Sequence, residues 1–211
     1  MGDYNKIMEA VIKGDKRNAA DQAKLLLESG NDLIDVIENG LNVAMGIVGD
    51  RMKTGEMFIP EVLQSAIAMR SAVDVFKPHM DAGEIKSLGR VVLGSVKGDL
   101  HDIGKSLVSL MLEGAGFTVF DLGVDVEPER FVKAIKEHNA QLVGMSALLT
   151  TTMPNMERTV KAIKEAGLRD QVKIILGGAP INQKFADKIG ADGYGENAGS
   201  AVQLSKSLLK I

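Results

Sequence analysis

Apolar residues recur at helical spacing through residues 4–77. Ile7, Met8, Val11 and Ile12 open one stripe, and Ala20, Ala23 and Leu27 form a second beyond the Gly14-Asp15 break. After Ser29-Gly30-Asn31, which reads as a capping signal, Leu33, Ile37, Leu41, Ala44 and Val48 fall three or four residues apart and predict a third helix. Lys53-Thr54-Gly55 interrupts that pattern, and Pro60 suits the first turn of a fourth helix whose buried face is Val62, Ala66, Met69, Val73 and Phe76. Four amphipathic helices with short connections predict a small bundle, here assigned to residues 1–85.

From Arg90 the period changes. Short β-branched runs at 90–96, 117–122, 142–147 and 173–176 alternate with helical stretches near 103–115, 129–138, 154–167, 182–189 and 198–209. Such alternation predicts a parallel sheet covered by helices on both faces, over residues 89–211, with Asp81-Ala82-Gly83-Glu84 as the linker. In an open parallel sheet ligands gather at the carboxyl ends of the strands. Candidate chemistry is therefore sought in 97–104, 123–128, 146–154, 177–180 and 194–198, where glycine is concentrated.

Composition narrows the chemistry. With 25 Lys and Arg against 28 Asp and Glu there is no basic field for a nucleic acid. No apolar run reaches the ~20 residues of a membrane span, and the N-terminus lacks a signal-peptide pattern, so a cytoplasmic protein without membrane partners is expected. The absence of cysteine excludes thiolate metal sites and thiol nucleophiles. Any metal must be held by His, Asp or Glu, and the histidines are His79, His101 and His138.

The loop from Gly98 to Ser106 carries Gly-Lys-Ser, but five residues separate Gly98 from Gly104 where a phosphate-binding loop has four. Two carboxylates in that loop would also oppose a phosphate. Asp99-Leu100-His101-Asp102 suits a metal better: imidazole can ligate through one nitrogen while the other donates to a carboxylate that fixes its tautomer. By itself Asp99-x-His101 reads more readily as a surface loop in which Asp99 or Asp102 caps the following helix. No cluster of further ligands follows, and a single protein ligand points to a metal that arrives inside a macrocycle.

Asp99-x-His101-x-x-Gly104, then 41 residues, Ser146-x-Leu148, then 28 residues, Gly177-Gly178, resembles the signature of the cobalamin-binding domains of methionine synthase, B12-dependent mutases and corrinoid proteins of methyltransferase systems. The helical region resembles the cap that precedes this domain in methionine synthase and the small corrinoid proteins, through Met45-Gly46-Ile47-Val48-Gly49-Asp50 and Gly55-Glu56-Met57-Phe58-Ile59-Pro60. Mutase domains lack that cap, which favours the methyl-transfer branch. The implied fold is a four-helix cap followed by an α/β, doubly wound parallel sheet of the Rossmann or flavodoxin-like type.

The resemblance implies a cobalamin or related corrinoid bound base-off and His-on. His101 would be the lower axial ligand of cobalt, with Asp99 and Ser146 in a hydrogen-bonded relay beneath it. Gly98, Leu100, Asp102, Ile103 and Gly104 would complete the loop under the corrin, and Leu148, Thr150, Gly177, Gly178, Tyr194 and Ala198 would approach the nucleotide tail. In the cap, Glu38, Met52, Ile59 and Val62 correspond to positions near the upper face. Methionine synthase has an aromatic residue where this chain has Met52.

The implied activity is that of a carrier. It would accept a methyl group on Co(I) from a substrate-specific methyltransferase and deliver it from methyl-Co(III) to a second methyltransferase. Methanol, a methylamine, a betaine or a methoxylated aromatic are all open as donors, and tetrahydrofolate or a thiol as acceptor. A reductive activation protein is the third implied partner. A B12-dependent sensor is the alternative, although no appended DNA-binding segment is present.

Overall fold

A computed structural model describes residues 4–79 and 87–211, apart from the side chain of Lys53. The chain divides into two units, the first up to Ser87 together with Gly114–Gly116 and the second comprising Leu88–Glu113 and Phe117–Ile211. The linker expected at residues 81–84 lies outside the described residues.

In the helical unit, α1 (Asn5–Ile12) and α2 (Lys16–Glu28) are joined by Gly14 in the left-handed region, and Asp15 caps α2 by accepting the Asn18 N–H at 3.0 Å. The third expected helix is not continuous. It consists of α3 (Leu33–Val36), a π-helical turn (Ile37–Leu41) and α4 (Asn42–Thr54). Its start is also shifted: Asp32 accepts the N–H groups of Ile34 and Asp35, so the cap is Asp32 and not the Ser29-Gly30-Asn31 cluster. Within the interruption the Asp35 carboxylate accepts the Tyr4 hydroxyl and the Asn39 amide, and Gly40 lies against the Tyr4 side chain with 3.3 Å left for a Cβ. Gly55, at φ +79°, ends α4 as expected, and α5 (Ile59–Phe76) carries Pro60 in its first turn. Ile7, Val11, Ala23, Leu41, Val48, Val62, Ala66 and Phe76 are buried, in keeping with the helical stripes.

The second unit runs β1 (Arg90–Ser95), α6 (Ile103–Gly114), β2 (Thr118–Asp121), α7 (Pro128–His138), β3 (Leu142–Ser146), α8 (Met153–Glu165), β4 (Lys173–Gly177), α9 (Gln183–Ile189), β5 (Gly193–Tyr194) and α10 (Ala198–Leu209). All strand pairs are parallel in the order β2-β1-β3-β4-β5, with Val91 opposite Val119 on one side and Leu142 on the other. The two-residue β5 is absent from the sequence expectation, since Gly193-Tyr194 offers no apolar run. Its pairing partners Ile175 and Leu176 create it.

Alternation along the buried strands divides the core. Val92, Val143, Met145, Ile174 and Leu176 share a cluster with Phe131 and Ile135 of α7, Met156, Val160 and Ile163 of α8 and Ala186 of α9. Phe131 is fully buried and its ring lies over Gly94, where a Cβ would sit 2.9 Å from its Cζ. Phe131→Ala should therefore lower unfolding stability by about 3–5 kcal/mol, seen as a reduced urea midpoint. A loss below about 1 kcal/mol would mean that α7 does not anchor the sheet.

Candidate functional site

The strand order reverses between β1 and β3, because the chain leaves β1 toward β2 and returns to the opposite side of β1 for β3. Loops that follow the two strands on either side of such a point diverge and leave a crevice at the carboxyl edge of the sheet. Here the diverging loops are 96–102 and 147–152, and one carboxylate ties them together.

Asp99 is fully buried. Its Oδ2 accepts the Thr152 hydroxyl at 2.7 Å and the Leu148 N–H at 2.8 Å, while its Oδ1 accepts the His101 N–H at 3.1 Å and faces His101 Nδ1 at 2.8 Å. Burial alone pushes the Asp99 carboxyl up, but the bonds from Thr152, Leu148 and His101 outweigh it and hold the group well below the usual carboxylate range. An ionised carboxylate only accepts, so the imidazole proton lies on Nδ1 and Nε2 keeps its lone pair. The His101 side chain is 49% exposed, so that lone pair is available to a ligand.

The hydroxyl that completes this network belongs to Thr152. Ser146, expected in the relay, ends β3 and does not bond to Asp99; Thr152, six positions later, does. Thr152 sits in a run of three threonines, and no composition signal distinguishes it. Only the turn after β3, in which the Thr152 N–H donates to Leu149 O at 3.1 Å, selects its hydroxyl. Ser95, also missed, donates its hydroxyl to the His101 carbonyl at 2.7 Å.

Around His101 the surface is apolar. Leu100 is 72% and Ile103 80% exposed, and Leu148 and Leu149 across the crevice are more than two-fifths exposed. Gly98, Asp102, Gly104 and Thr150 are exposed on the same loops. Four accessible aliphatic side chains beside one free imidazole nitrogen suit the flat, largely apolar underside of a macrocycle. Among the described residues there is no group of three or more His, Asp or Glu that could hold a bare metal ion.

The remaining expected residues fall into two groups. Gly177, Gly178 and Tyr194 lie at the carboxyl ends of β4 and β5, and Ala198 is the buried first residue of α10. A Cβ on Gly177 would meet nothing closer than Gly195 O at 3.6 Å, so space remains beside it. Gly178 differs: at φ +124° its Cβ would lie 1.8 Å from Ala147 O, so the protein's own backbone requires this glycine. In the helical unit Glu38 is exposed on the π-helical turn, Ile59 is exposed, Met52 is partly buried and Val62 is completely buried. Of the three apolar cap positions, Val62 is therefore a core residue.

Comparison with known proteins agrees with both units. Residues 89–203 match the B12 binding domain, and residues 4–77 match a second family model also described as a B12 binding domain. The chain belongs to the B12-binding corrinoid protein family of methyltransferase systems. It is 44% identical over 208 residues to trimethylamine corrinoid protein 2 of Methanosarcina mazei, covering 98% of this chain and 95% of that protein. Identity to dimethylamine corrinoid protein 1 of the same organism is 46%, covering 97% and 94%. Among solved structures, the methanol:cobalamin methyltransferase complex MtaBC from Methanosarcina barkeri matches with a TM-score of 0.88 at 31% identity, over 98% of this chain and 79% of that chain. A cobalamin-binding protein from Desulfitobacterium hafniense matches with a TM-score of 0.82 at 32% identity, over 98% of both chains. Among the described residues no helix is long and apolar enough to cross a membrane.

Proposed function

We propose that the chain is a methyl carrier whose donor is a methylated amine. It takes the methyl group from an amine-specific methyltransferase and passes it to a second methyltransferase, with a thiol or tetrahydrofolate as acceptor. A reductive activation protein is the third partner. The supporting observation is the near full-length match to trimethylamine and dimethylamine corrinoid proteins at 44–46% identity.

His101 would hold the corrinoid with the cofactor's own base displaced, and the cofactor would supply a redox-active cobalt able to take up and release a methyl group. The protein's part is positional. Asp99 holds the Nδ1 proton and orients the ring so that Nε2 faces outward as a ligand. Leu100, Ile103, Leu148 and Leu149 would exclude water beneath the macrocycle, and the space beside Gly177 would receive the nucleotide tail.

Reconstitution with hydroxocobalamin tests the binding mode. The Co(II) form of nitrogen-15 histidine protein should show axial imidazole coupling by electron paramagnetic resonance; coupling from the cofactor's own benzimidazole would refute it. For the donor, the reduced protein should be methylated spectrally in the presence of one methylamine and its methyltransferase. Methylation with methanol and its methyltransferase, but with no amine, would refute that part.

A further inference from the structure

Lys105 has a side chain only 1% exposed and lies outside the Asp99 network. Its ammonium bonds Asp121, the last residue of β2, and Asp102 Oδ1 at 2.8 Å. Asp102 is the residue directly after His101. Taking an ammonium and two carboxylates partly out of water is costly, and an apolar residue of the same length would generally hold a core as well. The geometric consequence is specific: Lys105 pins the downstream end of the histidine loop to the end of β2.

The upstream end is pinned from the same short segment. Asp125 accepts the Gly98 N–H at 2.8 Å and the Lys97 ammonium at 3.3 Å, and its own N–H donates to the Asp99 carbonyl at 2.9 Å. To do this Asp125 adopts φ +55°, a left-handed backbone that residues with a Cβ rarely take. Between these two points the Gly123 N–H closes on Asp121 Oδ1 at 2.9 Å, and the Gly123 carbonyl accepts the Ser95 N–H at 3.0 Å. The segment 121–125 is therefore a turn fastened to β1, with the Asp125 carboxylate reaching the loop before His101 directly and the Asp121 carboxylate reaching its far side through Lys105.

We infer that residues 121–125 form a clamp that positions the axial-ligand loop from both sides, with Asp121, Asp125 and Lys105 as its positioning residues. The inference rests on His101 being the axial ligand. A histidine that must bind and release cobalt in every cycle benefits from a fixed backbone, because only the ring then has to move. The clamp comes from the β2–α7 connection, separate from the β3–α8 turn that holds Asp99.

The test uses the full chain carrying Lys105→Met, Asp125→Gly or both. Methionine keeps the length of lysine and leaves Asp102 and Asp121 accessible to water, and glycine relaxes the left-handed backbone while removing the carboxylate. Thermal melting of the apo-protein reports folding, hydroxocobalamin titration reports affinity, and resonance of the Co(II) form with nitrogen-15 histidine reports the His-bound fraction. Each single variant should fold, bind corrinoid about tenfold more weakly and show a reduced imidazole-coupled fraction, with the double variant showing the least. Asp125→Asn, which tolerates positive φ and keeps an acceptor for Gly98, should recover most of the affinity lost in Asp125→Gly. If the wild type shows imidazole coupling and the variants match it in affinity and His-bound fraction, the clamp is refuted while the ligand assignment stands. If the wild type itself lacks imidazole coupling, the ligand assignment fails and takes the clamp with it. Should Lys105→Met not fold, Asp125→Gly decides alone, because the Asp125 side chain is 42% exposed.

Discussion

Gly178→Ala is expected to destabilise the fold severely, whereas the neighbouring Gly177→Ala should give a stable apo-protein that binds corrinoid poorly. The difference lies in what each new methyl would meet. At Gly178 it would lie 1.8 Å from the carbonyl oxygen of Ala147, in the turn that also positions Leu148 above Asp99. The obstacle is backbone, so no side-chain rotation relieves it, and the φ of +124° is itself hostile to alanine. A loss above about 4 kcal/mol is anticipated, a large fraction of the ~5–15 kcal/mol that holds a typical domain folded. At Gly177 the nearest atom is Gly195 O at 3.6 Å, an ordinary contact. The methyl would occupy only the space proposed for the nucleotide tail, and overfilling a close-packed site by one methyl costs about 1–3 kcal/mol, or roughly tenfold in affinity. Circular dichroism and a hydroxocobalamin titration on the two variants are sufficient. Equal behaviour of the pair would separate Gly177 from the cofactor.

Asp99→Asn should be the most damaging change in the ligand network, and Thr152→Val should reproduce part of it while Ser146→Ala does not. The carboxylate accepts from Thr152, from the Leu148 N–H and from the His101 backbone and ring. An amide presents its own N–H to at least one of these donors, leaving a buried polar group unsatisfied at a cost of about 1–3 kcal/mol. Corrinoid affinity should fall at least about tenfold, because Nδ1 loses the partner that fixes its tautomer. For Thr152→Val the loss is a single hydroxyl bond, about 1 kcal/mol, whereas Ser146→Ala should fall within about 0.5 kcal/mol of wild type.

The pH dependence follows from the depressed carboxyl. Its folded value lies below the ~3.9 of an unfolded aspartate, so the ionised group stabilises the fold fully above about pH 4 and progressively less as the pH drops toward the folded value. The asparagine variant has no such contribution. The stability gap between the two apo-proteins, measured by urea denaturation, should therefore narrow below about pH 4. A gap of equal size at pH 3 and pH 7 would mean that Asp99 is not ionised in the folded protein.

Much of this protein is legible in local pattern. The helical stripe through Ile7 and Val11 and the β-branched run 90–96 follow from periods of 3.6 and 2, which bury one face of a helix or both faces of an inner strand. Asp99, His101 and Gly177-Gly178 were recognisable because a three-part spacing constrains far more than any one residue. Local pattern also misled. A π-helical turn adds one residue within an otherwise regular stripe, so Leu33 to Val48 reads as continuous although Asp35, Tyr4 and Gly40 interrupt it. The strand β5 has two residues and no hydrophobic signature of its own.

The sequence by itself determined the order of the longer helices and of four of the five strands, the crevice loops and the identity of the one exposed histidine in them, since each depends on residues near one another in the chain. Only the tertiary structure decided which hydroxyl reaches Asp99, why Gly178 cannot be anything else, and how Lys105 and Asp125 hold the loop from β2. Those choices are made across separations of 16 to 53 residues. At such distances the partner is selected by how the strands pair and where the turns aim side chains, and residue type in the linear chain carries no trace of it.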